Sequence, residues 1–376
     1  MSNSTPKVQT LSLNQFTAFE EAHFDFCPGI NVLIGANGTG KTHAMKVIYT
    51  LLKVCEDAPQ YNTIYGETLE DILYLKLEGV FRFIEAVSDI IRYSDQNKSP
   101  LVFTQRMADI FLGYANTGFN FKVHNEQTGL GYFEIEESLD LPNPSSSIYL
   151  PAQEFLSIHE GFISAYTKRE SAYDETYYDL SLSLNARPLR KNKLNEVKDL
   201  IAYLKTIIVG EDWAREEIIK QENGRFYFDL PEGYLDVHLV AEGYRKIATL
   251  YYLLRNGSLT KDSILFWDEP EANLNPKLIV EVVKVLRMLA SLGMQIFVAT
   301  HDYLLSHELS LLAEYPSEES VDIKFFALHK PDRKAGVLVE SGQTLAEIEH
   351  NPILEEFAGH YDREVNLFHS PAIAGS

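Results

Sequence analysis

Residues 35–42 read Gly-Ala-Asn-Gly-Thr-Gly-Lys-Thr, a G-x-x-x-x-G-K-[ST] spacing suited to holding a nucleoside triphosphate. Glycines let the main chain close around an anion with its N–H groups turned inward. A helix opening near Thr42 aims its positive end at the same anion. Gly35, Ala36, Asn37, Gly38, Thr39, Gly40, Lys41 and Thr42 are therefore expected to cradle ATP, with His43 directly after them. Lys41 would reach the β- and γ-phosphates, and the Thr42 hydroxyl would hold Mg2+. An apolar strand, Asn31 to Ile34, precedes the loop, and a helix from Thr42 to about Lys53 follows it.

A second constellation lies far along the chain. Ile264-Leu265-Phe266-Trp267-Asp268-Glu269 is an apolar strand ending in two carboxylates. Asp268 then sits at the C-terminal edge of a sheet, where α/β folds bind ligands. It is expected to hold Mg2+, mostly through water, and Glu269 to act as the general base toward the attacking water. Pro270-Glu271-Ala272-Asn273-Leu274-Asn275-Pro276 follows, then a helix, an apolar strand Gln295 to Ala299, and Thr300-His301-Asp302.

This order resembles the ABC ATPase superfamily. The resemblance implies an α/β head of the P-loop NTPase type, a D-loop at Asn273 to Asn275, and a switch histidine, His301, that contacts the γ-phosphate. Glu269, His301 and Lys41 would then form the catalytic set. Taken by itself, His301 reads as a capping or core histidine. The signature of the superfamily should open the helix before the strand that ends in Asp268 and Glu269, where the chain reads Val240-Ala241-Glu242-Gly243-Tyr244-Arg245-Lys246. Gly243 matches a signature glycine, whereas Ala241 stands where a serine usually bonds the opposite subunit's γ-phosphate. Arg245 and Lys246 either supply positive charge to a nucleotide or belong to an ordinary surface helix. Gln153, after a short strand, occupies a Q-loop position and is either a Mg2+ and water positioner or a plain loop residue. Phe16 and Phe19 are candidates to stack on adenine, or core aromatics.

The elements needed to position these groups are legible as hydrophobic period. Residues 8–26 alternate as two strands with a turn near Ala18–Glu21; 56–100 carry helical spacing through Phe81, Phe83, Ile84, Val87, Ile90 and Ile91; 101–136 alternate as a small antiparallel sheet. A loop at Asp140–Ser147 leads to strand Ser147–Leu150. Residues 155–220 read as mostly helical and 224–240 as strands. The expected organisation is an ABC-type core from 1–55 and 225–345, a helical and β insertion at 56–154, a helical lobe at 155–224, and a tail at 346–376. No sustained heptads occur, so long coiled-coil arms are not expected.

Composition narrows the function classes. The formal net charge is −21, a field that repels phosphate backbones and opposes non-specific coating of nucleic acid. The basic run Arg187 to Lys198 leaves a local contact with DNA or RNA open. Two cysteines, Cys27 and Cys55, make no disulfide framework or metal spacing. The polar N-terminus carries no signal-peptide pattern, and no apolar run approaches the roughly 20 residues of a membrane span. A cytoplasmic protein without a membrane partner is expected. After Thr300 there is no HNH pattern, no acidic metal cluster and no Cys/His site, and the chain after His301 is short for a nuclease domain.

Tyr149 to Ser157, Gly161-Phe162 and Ala241 to Lys246 look similar to RecF/OLD-like ATPases of bacterial defence systems. That likeness implies ATP-sandwiched self-association and a separate effector chain, a nuclease or toxin. A RecF-type ATPase that clamps DNA, a regulatory scaffold with little turnover, and, more weakly, a transporter ATPase are the other readings.

Overall fold

The computed structural model describes residues 7–65, 68–84, 86–92, 107–115, 117–125, 131–135, 146–186, 195–316, 320–332 and 334–369. Most of the expected loop at 140–147, residues 187–194 of the basic run and the last seven residues of the tail lie outside them. The chain opens with antiparallel strands β1 (Val8–Phe16) and β2 (Phe19–Asp25). Their alternation buries Leu11, Leu13, Phe16, Phe19 and Phe24 on one side. The turn is Thr17-Ala18, tighter than the Ala18–Glu21 expected.

Strand β3 (Ile30–Gly35) is buried throughout and leads into helix α1 (Lys41–Tyr65). That helix runs well beyond Lys53, because Val54 and Cys55 are still buried and Lys53 pairs with Glu56 at 2.7 Å on the next turn. Helix α2 (Leu69–Phe81) opens on a reciprocal Thr68–Asp71 capping box and stops at Arg82, which is left-handed with φ +53°. The helical period expected to continue through Ile91 does not: Ile84 is 93% exposed, and only a short 3-10 turn, Val87–Ile90, follows.

Strands β4 (Met107–Tyr114), β5 (Thr117–Asn125) and β6 (Gly131–Ile135) are antiparallel as expected. They do not stand alone. β4 pairs with β1, giving one five-stranded sheet in the order β2-β1-β4-β5-β6 that spans the expected division at residue 55. Strand β7 (Ser147–Leu150) is followed by α3 (Phe162–Thr167), α4 (Glu175–Leu184) and α5 (Lys198–Val209). Strands β8 (Ile219–Glu222), β9 (Arg225–Leu230) and β10 (Gly233–Asp236) form a small antiparallel sheet. The helical expectation therefore ends before Ile219.

The chain then alternates: α6 (Glu242–Asn256), β11 (Ile264–Asp268), α7 (Pro276–Ser291), β12 (Gln295–Thr300), α8 (Tyr303–Glu314), β13 (Ile323–His329), β14 (Leu338–Gly342) and α9 (Pro352–His369). The central sheet has the order β14-β13-β3-β12-β11-β7, parallel except for β14. Successive residues of its strands face opposite layers. Val32, Ile34, Leu265, Trp267, Ile296 and Val298 pack against α4 to α8, while Leu33, Phe266, Phe297 and Ala299 pack against α1, α2 and the antiparallel sheet. Burial on both faces is why these strands read as unbroken apolar runs. This is the α/β architecture expected, a mostly parallel sheet covered on both faces, with an antiparallel β subdomain and a helical insertion.

Candidate active site

The parallel registers bring the strand ends together. Leu328 pairs with Gly35, Ile34 with Thr300, Ala299 with Asp268, and Trp267 with Leu150. Gly35, Asp268, Thr300 and Pro151 thus share the C-terminal edge of one sheet, although they come from distant parts of the chain.

At this edge the loop after β3 turns on glycines. A Cβ on Gly35 would lie 2.5 Å from the Leu328 carbonyl oxygen, and one on Gly40 2.9 Å from the Phe19 ring. Gly38 and Gly40 have φ of +77° and +88°, a conformation that side chains disfavour. The first amides of α1 have no intrahelical acceptor, which leaves them free to bond an anion at the loop. Lys41 Nζ donates to the carbonyls of Gly35 (2.6 Å) and Ala36 (3.0 Å), and the Thr39 hydroxyl to Ala36 at 2.9 Å. Burial pulls the Lys41 amine below its ordinary pKa, and the charges of Glu269, Asp268 and Glu271 oppose that shift. His43 meets Phe81 edge to face at 5.9 Å and, with Thr17 and Ile90, lines a hollow beside the loop. Phe16 and Phe19 are fully buried, so they serve as core aromatics.

The Thr42 hydroxyl bridges to the second motif, donating to the Asp268 carboxylate at 2.9 and 3.2 Å. Tyr149 OH donates to the same carboxylate at 3.2 Å. Burial raises the Asp268 pKa, the Thr42 bond lowers it, and the Glu269 charge raises it again. A hydroxyl and a carboxylate side by side form an oxygen donor set that fits a hard cation such as Mg2+. Gln153 is exposed on the neighbouring strand end, and its amide donates to Tyr173 OH at 3.0 Å rather than to Thr42 or Asp268. The next residue, Glu154, is buried and lies 2.8 Å from Arg245 Nε.

Immediately after β11 the backbone of Glu269 enters the left-handed region, with φ +46°. A non-glycine residue rarely adopts it, and such local strain clusters at functional sites. The turn is fixed by the Glu269 N–H bond to the Ala299 carbonyl, 2.9 Å. It lays the Glu269 carboxylate 3.3 Å from His301 Nδ1. Both side chains remain partly open to solvent, at 32% and 44%. Beneath them Glu271 is buried. Its Oε1 accepts from the Thr300 hydroxyl (2.6 Å) and the His301 N–H (3.3 Å), while Oε2 has no hydrogen-bond partner among the described residues. Burial raises the Glu271 pKa, and these bonds lower it in part.

Helix α6 packs on the segment after Glu269. A Cβ on Gly243 would meet Leu274 at 2.9 Å, so the glycine allows this approach. Asn273 Nδ2 donates to Glu242 at 2.8 Å. Lys246 is buried and donates to the carbonyls of Ala272 (2.8 Å) and Glu269 (3.4 Å), and burial lowers its pKa. Arg245 donates to the Val240 carbonyl at 3.0 Å and pairs with Glu154. Of the two roles open to Arg245 and Lys246, charge for a nucleotide or an ordinary surface helix, the structure shows neither: both side chains are turned onto the chain's own loops.

The structure therefore gathers Lys41, Thr42, Asp268, Glu269 and His301, and sets Gln153, Arg245 and Lys246 to other partners. Sequence reading missed Tyr149, Glu154 and Glu271. For Glu271 the available signal was a third carboxylate within four residues; Tyr149 and Glu154 stood in the Tyr149 to Ser157 run, but their bonds to Asp268 and Arg245 cross more than 90 residues of chain.

A sequence family described as an AAA domain, putative AbiEii toxin, type IV TA system, matches residues 30–306. Shorter stretches match curated proteins. One of 44 residues is 46% identical to the DNA replication and repair protein RecF of Salinibacter ruber, covering 12% of this chain and 11% of that one. Another of 79 residues is 34% identical to RecF of Staphylococcus haemolyticus, covering 20% of each. The chain thus spans at most a fifth of the length of these relatives. Among solved structures, an SMC head bound to the C-winged helix domain of ScpA is 13% identical, with a TM-score of 0.49 over 90% of this chain and 98% of that one. The SMC head domain of Thermotoga maritima is 12% identical, with a TM-score of 0.45 over 89% and 98%.

Proposed function

Since the chain belongs to the AAA-domain family described as a putative AbiEii toxin of a type IV TA system, we propose that it binds and hydrolyses ATP as a two-state switch. The observation that carries this reading is the convergence of Thr42, Asp268, Glu269 and His301 on one sheet edge beside the phosphate loop. Lys41 and the loop amides hold the triphosphate. Thr42 and Asp268 would hold Mg2+, which would supply charge neutralisation to the triphosphate. Glu269 takes the proton of the attacking water, and His301, in contact with Glu269, senses the γ-phosphate. Measured phosphate release from Mg2+–ATP tests the reading. Lys41→Ala is expected to lose nucleotide binding, and undiminished binding in that variant would overturn the assignment.

The switch acts by association of two heads, with each nucleotide held between one phosphate loop and the other subunit's α6 N-terminus. Hydrolysis removes the shared anion and loosens the pair, a device suited to gating a separate nuclease or toxin chain in a prokaryotic defence system. The family description favours that use. The short RecF matches favour a second reading, a DNA-clamping repair ATPase, which the net charge of −21 opposes. Purification from the native host in ATP separates the two. A protein effector in fixed ratio supports the first, and nucleic acid alone supports the second.

A further inference from the structure

The last strand pair assembles a donor set that no motif announces. Strands β13 and β14 are antiparallel, with Ala327 opposite Glu340 and His329 opposite Leu338. His329 and Glu340 are thus diagonal neighbours on one face. The chain then passes through a 3-10 turn, Leu345–Glu347, and returns His350 to that face. The His329 and His350 rings lie parallel with centroids 4.6 Å apart. One ligating atom from each of His329, Glu340 and His350 falls within 4.8 Å of the others.

We propose that His329, Glu340 and His350 form a binding site for one divalent transition metal of the zinc class. Two imidazoles and one carboxylate are the donors such ions select, with bonds of about 2.0–2.2 Å. Tetrahedral ligation at those lengths separates the ligating atoms by about 3.3 Å. The gap from His350 Nδ1 to Glu340 Oε2 is already 3.5 Å. The other ligating atoms lie within 4.8 Å, and rotation of the stacked imidazoles about their side-chain bonds would close them onto one ion. The carboxylate is held for the purpose: Glu340 accepts from the backbone N–H groups of Glu349 (2.7 Å) and His350 (2.9 Å), which fix it as an outer shell fixes a ligand and leave its other lone pairs available. His350 is the exposed member, so the open side gives the ion an entry path and room for a water as fourth ligand.

The place gives the site a consequence. His329 follows Leu328, the residue paired with Gly35 at the phosphate loop. His350 lies two residues before α9, whose Phe357 packs 4.2 Å from Tyr303, itself two residues after His301. A bound ion ties the final hairpin to the base of α9, alongside the nucleotide edge but separate from Thr42 and Asp268.

The test uses the full chain free of any histidine tag and of nucleotide, titrated with Zn2+ against a chromophoric chelator. One equivalent is expected to bind in the micromolar range or tighter. His350→Ala, His329→Ala and Glu340→Gln are each expected to weaken it at least tenfold, and His360→Ala, on the exposed part of α9, to leave it unchanged. Co2+ substitution should give a visible absorption band that His350→Ala abolishes. His350 is exposed, so its variant is informative even if His329→Ala misfolds. Absence of stoichiometric uptake by the native chain, or equal uptake by His350→Ala, overturns the proposal.

Discussion

Glu271 accepts a 2.6 Å hydrogen bond from the hydroxyl of Thr300, the residue immediately before His301. With the bond from the His301 N–H, it makes a buried carboxylate the support on which His301 stands. Glu271 is buried and spends its bonds on Thr300 and His301, so it is a positioning residue. Glu271→Ala is predicted to lower kcat about 100-fold while changing the KM for ATP little, since small misplacements of a reacting group cost about that much. Glu271→Gln keeps an acceptor for Thr300 and should recover about tenfold of the loss. Steady-state kinetics check this. A rise in KM with kcat intact would mean that Glu271 supports binding instead.

Asp268 carries a cost in the absence of its ligands. Burial raises its pKa, opposed in part by the Thr42 hydroxyl, and the nearby Glu269 charge raises it further. A carboxylate with a raised folded-state pKa holds its proton more tightly folded than unfolded. Its contribution to stability is therefore lost as pH rises from the ordinary range near 4 through the folded value. Asp268→Asn is predicted to make the nucleotide-free protein more stable than the native chain at pH 7. That advantage should shrink toward pH 4, and Mg2+-dependent turnover should be lost. Urea unfolding at several pH values checks it; a variant less stable at pH 7 would contradict it.

Helices α2 and α4 meet over a buried charge cluster. Lys76 Nζ lies 2.6 Å from Glu175, 3.2 Å from Asp179 and 3.6 Å from Asp57. Burial works against the Lys76 charge, and Asp179 and Glu175 outweigh it, so the amine is held well above its ordinary pKa. Lys76→Ala leaves the acids uncompensated and is predicted to cost about 3–5 kcal/mol of stability. ATP affinity measured below the unfolding transition should stay near native. A loss under about 1 kcal/mol would mean that the cluster is solvated rather than buried.

The features legible in the sequence are those with local spacing. The phosphate loop is eight consecutive residues, and Asp268 with Glu269 closes an apolar run, so both were legible without contacts. The β14-β13-β3-β12-β11-β7 order was not, because parallel pairing depends on crossovers far apart in the chain. The partners of Arg245 and Lys246 were hidden for a related reason. A basic residue at a helix start looks exposed until the loop after Glu269 is laid across it. The His329, Glu340 and His350 group escaped because its members lie 10 and 11 positions apart, without the short spacing of a metal motif, and meet through a hairpin and a returning turn.

The central claim, that ATP joins two heads and Glu269 resets them, is tested most directly by sedimentation of the Glu269→Gln variant with ATP and Mg2+. Loss of a general base slows turnover by about 100-fold or more while leaving the nucleotide site intact. The variant is predicted to sediment as a stable dimer with ATP and as a monomer with ADP. A variant that binds ATP yet remains monomeric, or that hydrolyses it at the native rate, would contradict the account.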